Sequence, residues 1–129
     1  RESQMKVLIE CVNKVANGSP IVVTGDFNTQ PNTASYTTMT QSGFTDASKV
    51  AKQGEIKRTY NGNADSGNVI FDYVFVSSNL KDSVEYYTVC PAKRDGKWVS
   101  DHNAIIATIA INTATAIFQN GKINNIHKN

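Results

Sequence analysis

The sequence predicts an α+β domain in which helices pack on one face of a mostly antiparallel sheet. Two observations support this prediction. Apolar residues recur at helical spacing near the start of the chain, and four apolar segments farther along have the length and composition of strands. The chain has 129 residues, of which 40% are hydrophobic and 19% are charged, so it can bury one core.

The first predicted element is an amphipathic helix. Its apolar residues are spaced three and four apart, and Asn17-Gly18 followed by Pro20 supplies a stop signal. These apolar residues are Met5, Leu8, Ile9, Val12, Val15 and Ala16. A short β-branched run at 21–24 comes next, between a proline and a glycine, which is typical of a strand buried on both faces. The end of this strand leads directly to Asp26.

A second, shorter helix is predicted after the first strand. Asn32 or Thr33 can cap its start, and the helix is predicted to run through Met39. Gly43 suits the left-handed position just past its end. The stretch 45–68 is polar and rich in turn residues, so it is predicted to be a long connection.

Three further strands are predicted at 69–76, 83–90 and 104–111. The first two are predicted to be antiparallel neighbours, which gives a sheet of at least four strands. Apolar residues alternate along one side of the last strand, and this side is expected to form an uncovered sheet face. These residues are Ile105, Ala107, Ile109 and Ile111.

One carboxylate falls on an apolar face of a predicted strand. Alternation along 69–76 places Asp72 on the same face as Val74 and Val76. An ionised carboxylate that is largely removed from water costs several kcal/mol unless a hydrogen-bonded partner compensates it. The sequence therefore predicts a donor opposite Asp72, which can be a site side chain, a backbone group or a tyrosine hydroxyl.

Two polar clusters border the predicted strands. Gly-Asp-Phe-Asn at 25–28 follows the first strand, and Ser-Asp-His-Asn at 100–103 precedes the last one. Together with Asp72, which lies between them in sequence, they predict two walls of one phosphate-processing site. Each cluster has another interpretation, because 25–28 can be an Asx turn that caps the next segment and 100–103 can be a loop with a structural or solvated histidine.

The net charge is mildly positive, at +2 with a pI near 8.6. This charge suits an anionic substrate but falls short of the dense basic stripe of a dedicated nucleic-acid-binding protein. A cluster of Lys93, Arg94 and Lys97 lies next to Trp98 in sequence. It can steer phosphate groups or form a solvated charged turn.

Cys11 and Cys90 are isolated in sequence and lack metal-ligand spacing. They are therefore predicted to be buried apolar side chains rather than a disulfide or a zinc site. No apolar run approaches the roughly 18 residues that a membrane span needs, so no span is predicted.

The order of these motifs resembles the C-terminal half of the endonuclease/exonuclease/phosphatase superfamily, the DNase I-like metal-dependent phosphoesterases. The motifs are Gly-Asp-Phe-Asn at 25–28, Phe-Asp-Tyr-Val-Phe-Val-Ser at 71–77 and Ser-Asp-His-Asn at 100–103. The resemblance implies half of a four-layer αββα sandwich. It also implies a phosphodiesterase, nuclease or phosphatase that uses Mg²⁺ or Mn²⁺, in which water attacks phosphorus and an alkoxide leaves from the opposite side.

The resemblance implies catalytic roles for four residues. Asp26 would orient or deprotonate water and Asn28 would bind a phosphoryl oxygen, since side chains two apart on extended backbone project the same way. His102 would contact the phosphate and stabilise its developing charge. Asp72 would fix the tautomer of His102 and raise its pKa.

The resemblance also implies how metal and substrate are held. Asp101 would lie close to the metal, because a carboxylate oxygen suits a hard cation. The glutamate that anchors the metal in the family is expected in the N-terminal half, which this sequence does not match. Tyr60 and Asn61 would contact the substrate, which can be nucleic acid, a phospholipid or a sugar phosphate.

Two parts of the chain are distinguished. Residues 1–111 are predicted to be the C-terminal portion of the domain, and 112–129 are predicted to be a tail that forms a short hairpin or a linker. The chain is expected to be part of a longer product and to be inactive alone. The alternative hypothesis is an incomplete half-domain that acts only by pairing with another copy of the chain or with an N-terminal half.

Overall fold

Helix α1 (Glu2–Ala16) confirms the first predicted element. In the computed structural model, which describes residues 1–111, Met5 is buried and Leu8 and Val12 pack on the same core. Asn17 ends the helix in the left-handed conformation, with a φ of 47°. The stop signal therefore acts as predicted, and the apolar periodicity holds except at Val15, which is 85% exposed.

Helices and strands are mixed along the described residues, and most strand pairs are antiparallel, which confirms the α+β class. The other helices are α2 (Ala34–Gln41), α3 (Ala47–Val50) and a 3-10 helix (Ser78–Ser83). The strands are β1 (Val22–Asp26), β2 (Phe44–Asp46), β3 (Gln53–Gly54), β4 (Asp72–Ser77), β5 (Val84–Cys90), β6 (Lys93–Arg94), β7 (Lys97–Trp98) and β8 (Ala104–Ile109).

The described strands form two three-stranded sheets and one short hairpin. Strand β4 is the centre of the first sheet, antiparallel to β1 on one side and to β2 on the other. Strand β5 is the centre of the second sheet, antiparallel to β8 and parallel to β3. The antiparallel register of β1 and β4 places Asp26 directly opposite Asp72.

This topology corrects the expectation of one sheet with 69–76 and 83–90 as neighbours. Strands β4 and β5 do not pair, because the 3-10 helix Ser78–Ser83 leads the chain from one sheet to the other. A short polar connection has the same sequence signature in a hairpin and in a change of sheet. The connection alone therefore could not decide which strands pair.

The predicted alternation along β4 is confirmed. Tyr73 and Phe75 point into an apolar cluster that α1 and α2 cover. Val74 and Val76 point the other way, into a cluster that they share with β5 and β8. The strand therefore contributes to two cores, one on each of its faces.

The apolar side of β8 is not an uncovered sheet face. Ile105, Ala107 and Ile109 are half-buried and pack against the cluster that β4 and β5 form. The two sheets of this chain thus cover part of each other's inner face. Ile111, the fourth residue predicted on this side, is 58% exposed.

Strand β1 is not buried on both faces. Val23 packs on the α1 side, whereas Val22 is 42% exposed and Thr24 is also exposed. The reason is its position at the edge of the first sheet, where β4 is its one partner among the described residues. A β-branched run indicates a strand but does not give its neighbours.

The local signals for α2 are confirmed. Thr33 is its N-cap and accepts a hydrogen bond from the Tyr36 N–H, and Gly43 has a φ of +89° just past the helix. The stretch 45–68 contains more regular structure than predicted, including α3 and β3. Asp46 caps α3 through its side chain.

The two thiols are free and exposed, so their predicted burial is wrong. Cys11 lies on α1 and Cys90 is the last residue of β5, and neither position faces a core cluster. Within the part of the chain that the structure describes, no helix is both long and apolar enough to cross a membrane. The hairpin or linker predicted at 112–129 lies outside the described residues.

Candidate active site

Three polar side chains from separate segments lie together. Asp26 is the last residue of β1, Asp72 is the first residue of β4, and His102 lies two residues before β8. One oxygen of each carboxylate and one ring nitrogen of the histidine lie within 4.8 Å of one another. The convergence predicted from the two polar clusters and Asp72 is therefore present in the fold.

The donor required by Asp72 is the imidazole of His102. Nδ1 of His102 lies 2.8 Å from Oδ2 of Asp72, and because an ionised carboxylate can only accept, the Nδ1–H donates. The side chain of Asp72 is 15% exposed, so this hydrogen bond offsets the cost of its burial. It also leaves Nε2 of the imidazole directed away from Asp72.

The same hydrogen bond raises the pKa of His102 above its ordinary value. The hydrogen bond from the ring to Asp72 is the largest cause, and desolvation of the imidazole opposes it. The negative charges of Asp72, Asp26 and Asp101 add smaller contributions in the same direction. The surroundings of His102 thus favour the imidazolium form.

Asp26 faces the other ring nitrogen of His102. Its Oδ2 lies 3.9 Å from Nε2, which is too far for a direct hydrogen bond but allows one oxygen atom to contact both groups. The side chain of Asp26 is 40% exposed, so water and substrate can reach it. This geometry can place a water molecule or a phosphoryl oxygen between a carboxylate acceptor and an imidazole donor.

Asn28 does not project beside Asp26 from an extended strand. Its φ is +50°, and its N–H donates to Oδ1 of Asp26 over 2.8 Å. The backbone therefore turns after β1 in the manner of an Asx turn, which corrects the extended geometry predicted for this pair. Asn28 is exposed next to the site, and Oδ2 of Asp26 remains directed towards His102.

Tyr60 lies against His102. The two residues form an isolated antiparallel β-bridge, and their rings pack edge to face with centroids 5.1 Å apart. The ring of Tyr60 also packs on the ring of Phe71, with centroids 5.3 Å apart. Tyr60 thus borders the imidazole and restricts its orientation.

Asn61 is buried, and its side chain forms hydrogen bonds with other residues of the protein. Its Nδ2 donates to the carbonyl of Ser100 and to Oδ1 of Asn103, and its Oδ1 accepts from the Asn63 N–H. Asp101 is exposed, and its carbonyl oxygen accepts from the Asn61 N–H over 2.7 Å. The structure therefore joins these two residues through the backbone and leaves the carboxylate of Asp101 free to face solvent.

Thr59 and Asn103 also belong to the site, although the sequence assigned no role to Thr59 and named Asn103 only as part of the motif at 100–103. Thr59 has no exposed surface, and its Oγ1 accepts from the N–H groups of Phe71 and Asp72 at 2.9 and 3.0 Å. Its carbonyl accepts from the N–H of Asn103, which follows His102 directly. Thr59 thus holds the segment bearing Asp72 against the segment bearing His102. A threonine in a polar stretch gives no periodic signal for such a role.

We expect Thr59→Val to lower the free energy of unfolding by about 2–4 kcal/mol, because it leaves two part-buried N–H groups without an acceptor at about 1–2 kcal/mol each. Urea denaturation would measure the change. Thr108→Val, at an exposed strand position, is the matched control and should stay within about 0.5 kcal/mol of the parent chain. Equal losses in the two variants would contradict the role assigned to the Thr59 hydroxyl.

We expect Asp72→Asn to lower the pKa of His102, since the amide cannot supply the charge that stabilises the imidazolium. NMR titration of the imidazole would measure this pKa in a His127→Gln background, which leaves His102 as the one histidine of the chain. The raised folded-state pKa means that protonation of His102 stabilises the fold at low pH, and this contribution disappears as the pH rises through that pKa. An unchanged midpoint in Asp72→Asn would exclude the negative charge of Asp72 as the cause of the raised pKa, and Asp82→Asn serves as the charge control.

Asp26, Asp72 and His102 form the group among residues 1–111 whose donor atoms could hold a metal ion. Carboxylate oxygens suit a hard divalent cation such as Mg²⁺ or Mn²⁺, whereas Nδ1 of the imidazole already binds Asp72. The residues present therefore fit a divalent cation. Asp101, predicted as the metal residue, is not part of this group.

The two packed sheets, the outer helices and the carboxylate–imidazole–carboxylate group define a β-sandwich protein with a polar site at its strand ends. A family model described as the endonuclease/exonuclease/phosphatase family matches residues 5–102. The chain belongs to this family, whose members include phosphatases and nucleases. The predicted resemblance is therefore confirmed.

Three solved structures illustrate the similarity. An endonuclease/exonuclease/phosphatase from Bacteroides vulgatus is 25% identical with a TM-score of 0.76, over 86% of this chain and 44% of that chain. The mannosyl-6-phosphatase from Bacteroides thetaiotaomicron is 21% identical with a TM-score of 0.71, over 83% and 44%. A 3′ phosphatase from Neisseria, bound to a product DNA hairpin, is 17% identical with a TM-score of 0.68, over 85% and 53%.

The similarities to the mannosyl-6-phosphatase and to the 3′ phosphatase, at 21% and 17% identity, show the fold alone. The chain spans less than half the length of the first two structures. A comparison with curated proteins finds no match.

Proposed function

We propose that this chain is the C-terminal part of a Mg²⁺-dependent phosphoesterase that hydrolyses a phosphate ester with an activated water molecule. The observation that supports this most is the line of Asp72, His102 and Asp26, in which one carboxylate orients the imidazole and the other faces its free nitrogen. Membership of a family of phosphatases and nucleases supports the same reaction class.

Asp26 and His102 divide the chemistry between them. Asp26 accepts a proton from water as the oxygen attacks phosphorus, and the bond to the leaving alkoxide breaks on the opposite side. His102 donates from Nε2 to a phosphoryl oxygen, where negative charge increases in the transition state. Asp72 keeps Nδ1 protonated and favours the imidazolium form, in which Nε2 also carries a proton that it can donate.

Three further residues belong to the proposed site. Asn28, exposed beside Asp26, donates its side-chain amide to a phosphoryl oxygen. Tyr60 contacts the substrate beside His102, and Asn61 supports that contact by holding the loop that continues to Asp101.

A divalent ion would be held by the carboxylates of Asp26 and Asp101, with a glutamate expected outside this chain as its main anchor. Such an ion supplies charge neutralisation at the phosphoryl group when bound. The side chains of Asp101 and Asp26 are both accessible to solvent, which this role requires. His102 remains the donor to the substrate rather than a ligand in this arrangement.

The substrate is a phosphate ester of a nucleic acid, a phospholipid or a sugar. Two of the similar structures are named for a mannosyl-6-phosphatase and for a 3′ phosphatase bound to DNA. These names suggest sugar phosphates and nucleic-acid ends as the first compounds to assay.

The test is hydrolysis of p-nitrophenyl phosphate and bis-p-nitrophenyl phosphate by this chain and by a longer chain that includes the residues preceding it in its gene. We expect turnover from the longer chain, its loss in EDTA and its recovery with Mg²⁺ or Mn²⁺. Turnover that persists in EDTA would contradict the metal-dependent mechanism. No turnover by the longer chain on either ester or on the suggested natural substrates would contradict the function itself.

The alternative, an incomplete half-domain that works through a partner, is favoured by the exposed edge strand β1 and by coverage of only 44% of the similar structures. Light scattering of the isolated chain should then report a dimer or a larger species. A monomer with its own metal-dependent turnover would exclude this alternative.

A further inference from the structure

The side chain of Asn103 is buried between two other segments of the chain. Its Oδ1 accepts from the N–H of Ala92 and from Nδ2 of Asn61, at 3.0 and 2.9 Å, and its Nδ2 donates to the carbonyl of Arg58 over 3.1 Å. A backbone N–H can only donate and a carbonyl can only accept, so these partners fix which way the amide points. The amide therefore joins the loop at 58–61 to the segment that follows β5.

His102, the residue before Asn103, is attached to the same loop through its backbone. It forms a β-bridge with Tyr60, and the N–H of Asn103 donates to the Thr59 carbonyl over 2.7 Å. The backbone and the side chain of Asn103 thus bind two consecutive carbonyls of the loop, those of Arg58 and Thr59. The position of His102 relative to the loop therefore depends on Asn103.

The loop also holds the partner of the imidazole. Oγ1 of Thr59 accepts from the Asp72 N–H at 3.0 Å, so the residue that binds the Asn103 N–H also holds Asp72. The side chain of His102 is 31% exposed, and the 2.8 Å bond from Nδ1 to Asp72 is the one hydrogen bond that its ring makes within residues 1–111. A shift of the His102 backbone would therefore change that bond and the 3.9 Å separation between Nε2 and Asp26.

We propose that Asn103 is a positioning residue, whose buried amide sets the backbone of His102 so that Nδ1 meets Asp72 while Nε2 faces Asp26. The inference rests on the proposed function, in which Nε2 donates to the phosphoryl group. The amide of Asn103 is bound by other residues of the protein, so it acts through the imidazole and not on the substrate. Misplacing a catalytic group by about 1 Å can cost about 10²-fold in rate.

The first test follows the bond between His102 and Asp72 without turnover. At a pH where the imidazole is neutral, the ¹⁵N NMR shifts of its two nitrogens show which one carries the proton. They would be measured in EDTA on the 129-residue chain with His127→Gln. We expect mainly the Nδ1–H tautomer in this parent, because Nδ1 donates to Asp72, and mainly the Nε2–H tautomer of a free imidazole in Asp72→Ala.

Asn103→Ala is expected to shift the ratio of tautomers from Nδ1–H towards Nε2–H, because the ring no longer meets Asp72 in a fixed position. The parent ratio in Asn103→Ala would overturn the proposal, and so would a parent chain that is mainly the Nε2–H tautomer. If Asn103→Ala does not fold, Asn103→Ser decides, since it leaves room for water and keeps a hydroxyl. The parent ratio in that variant would have the same meaning.

Two variants control for changes that do not involve the amide. Asn68→Ala removes an exposed asparagine. Val84→Ala weakens the core at the start of β5, where Val84 pairs with Ile109 at the opposite end of β8 from Asn103. Both variants should keep the parent ratio. An equal shift in Val84→Ala would show that loss of stability alone moves the ring, and the proposal would be wrong.

The second test uses the longer chain to separate positioning from general support of the fold. Asn103→Ala should lower kcat by about tenfold or more with little change in KM. In a His102→Ala background the same substitution should have no further effect on kcat, because its effect passes through the imidazole. A further loss of similar size in that background would contradict the positioning role.

The outcomes for Asn103 and for the reaction are separable. No hydrolysis by the longer chain, with the tautomer shift present in Asn103→Ala, would contradict only the proposed function. Metal-dependent hydrolysis with the parent ratio of tautomers in Asn103→Ala would contradict only the role of Asn103.

Discussion

His102→Ala is expected to lower kcat of the complete enzyme by about 10²-fold or more, because removing one donor to charge that forms in the transition state has this effect in other enzymes. KM should change little, since the donor acts mainly on the transition state. Steady-state hydrolysis of p-nitrophenyl phosphate would measure both parameters. Asp101→Ala is expected to cause a loss of similar size through the metal.

His127→Ala is the control for this experiment, since it removes the other histidine of the chain. It should leave kcat unchanged. If His102→Ala has the rate of the parent enzyme, the imidazole does not contact the reacting phosphate, and the assignment of the site is wrong.

Asp26→Ala is expected to lower kcat by about 10²- to 10⁴-fold, the range that a positioned general base contributes. Asp82→Ala, at an exposed position in the 3-10 helix, is the control for loss of one negative charge. The pH dependence of kcat/KM in the parent and in the Asp26 variants would show whether a basic group has been lost.

Asp26→Asn separates catalysis from structure. The asparagine keeps an oxygen that can accept from the Asn28 N–H, so the turn after β1 is retained, but it cannot accept a proton from water. If Asp26→Asn keeps the full rate while Asp26→Ala does not, the residue only shapes the turn. A large loss in both variants supports its role as the base.

Local signals in the sequence predicted local structure well. Apolar spacing and the Asn17-Gly18 stop predicted α1, and the cap at Thr33 with Gly43 predicted α2, because caps and amphipathic spacing depend on residues a few positions apart. The alternation along β4 also predicted which side chains share a face with Asp72.

Pairing between distant segments was harder to predict. The division into two sheets and the exposure of β1 depend on which strands meet, and a strand's own composition does not specify its neighbours. Thr59 and Asn103 were missed for a related reason. Their hydrogen bonds join segments far apart in sequence, and neither residue belongs to a periodic pattern.

The burial of Asp72 among apolar neighbours predicted a donor opposite it but did not identify that donor. The resemblance to the family implied His102, and the structure places its Nδ1 there. The conformation of Asn28 was not predicted in the same way. Its positive φ accompanies the hydrogen bond from its N–H to Asp26. The sequence at 25–28 allowed this Asx turn as one of two interpretations.

The register of β1 and β4 places two carboxylates on the same rung of an antiparallel ladder, at Asp26 and Asp72. Like charges directly opposite each other destabilise a strand pair. Sliding the strands by one residue would relieve this repulsion but would turn every side chain of β1 to the wrong face. The pairing of β1 and β4 is therefore less stable at this end than along the rest of the two strands. A cation bound between the two carboxylates would offset their repulsion and stabilise the strand pair.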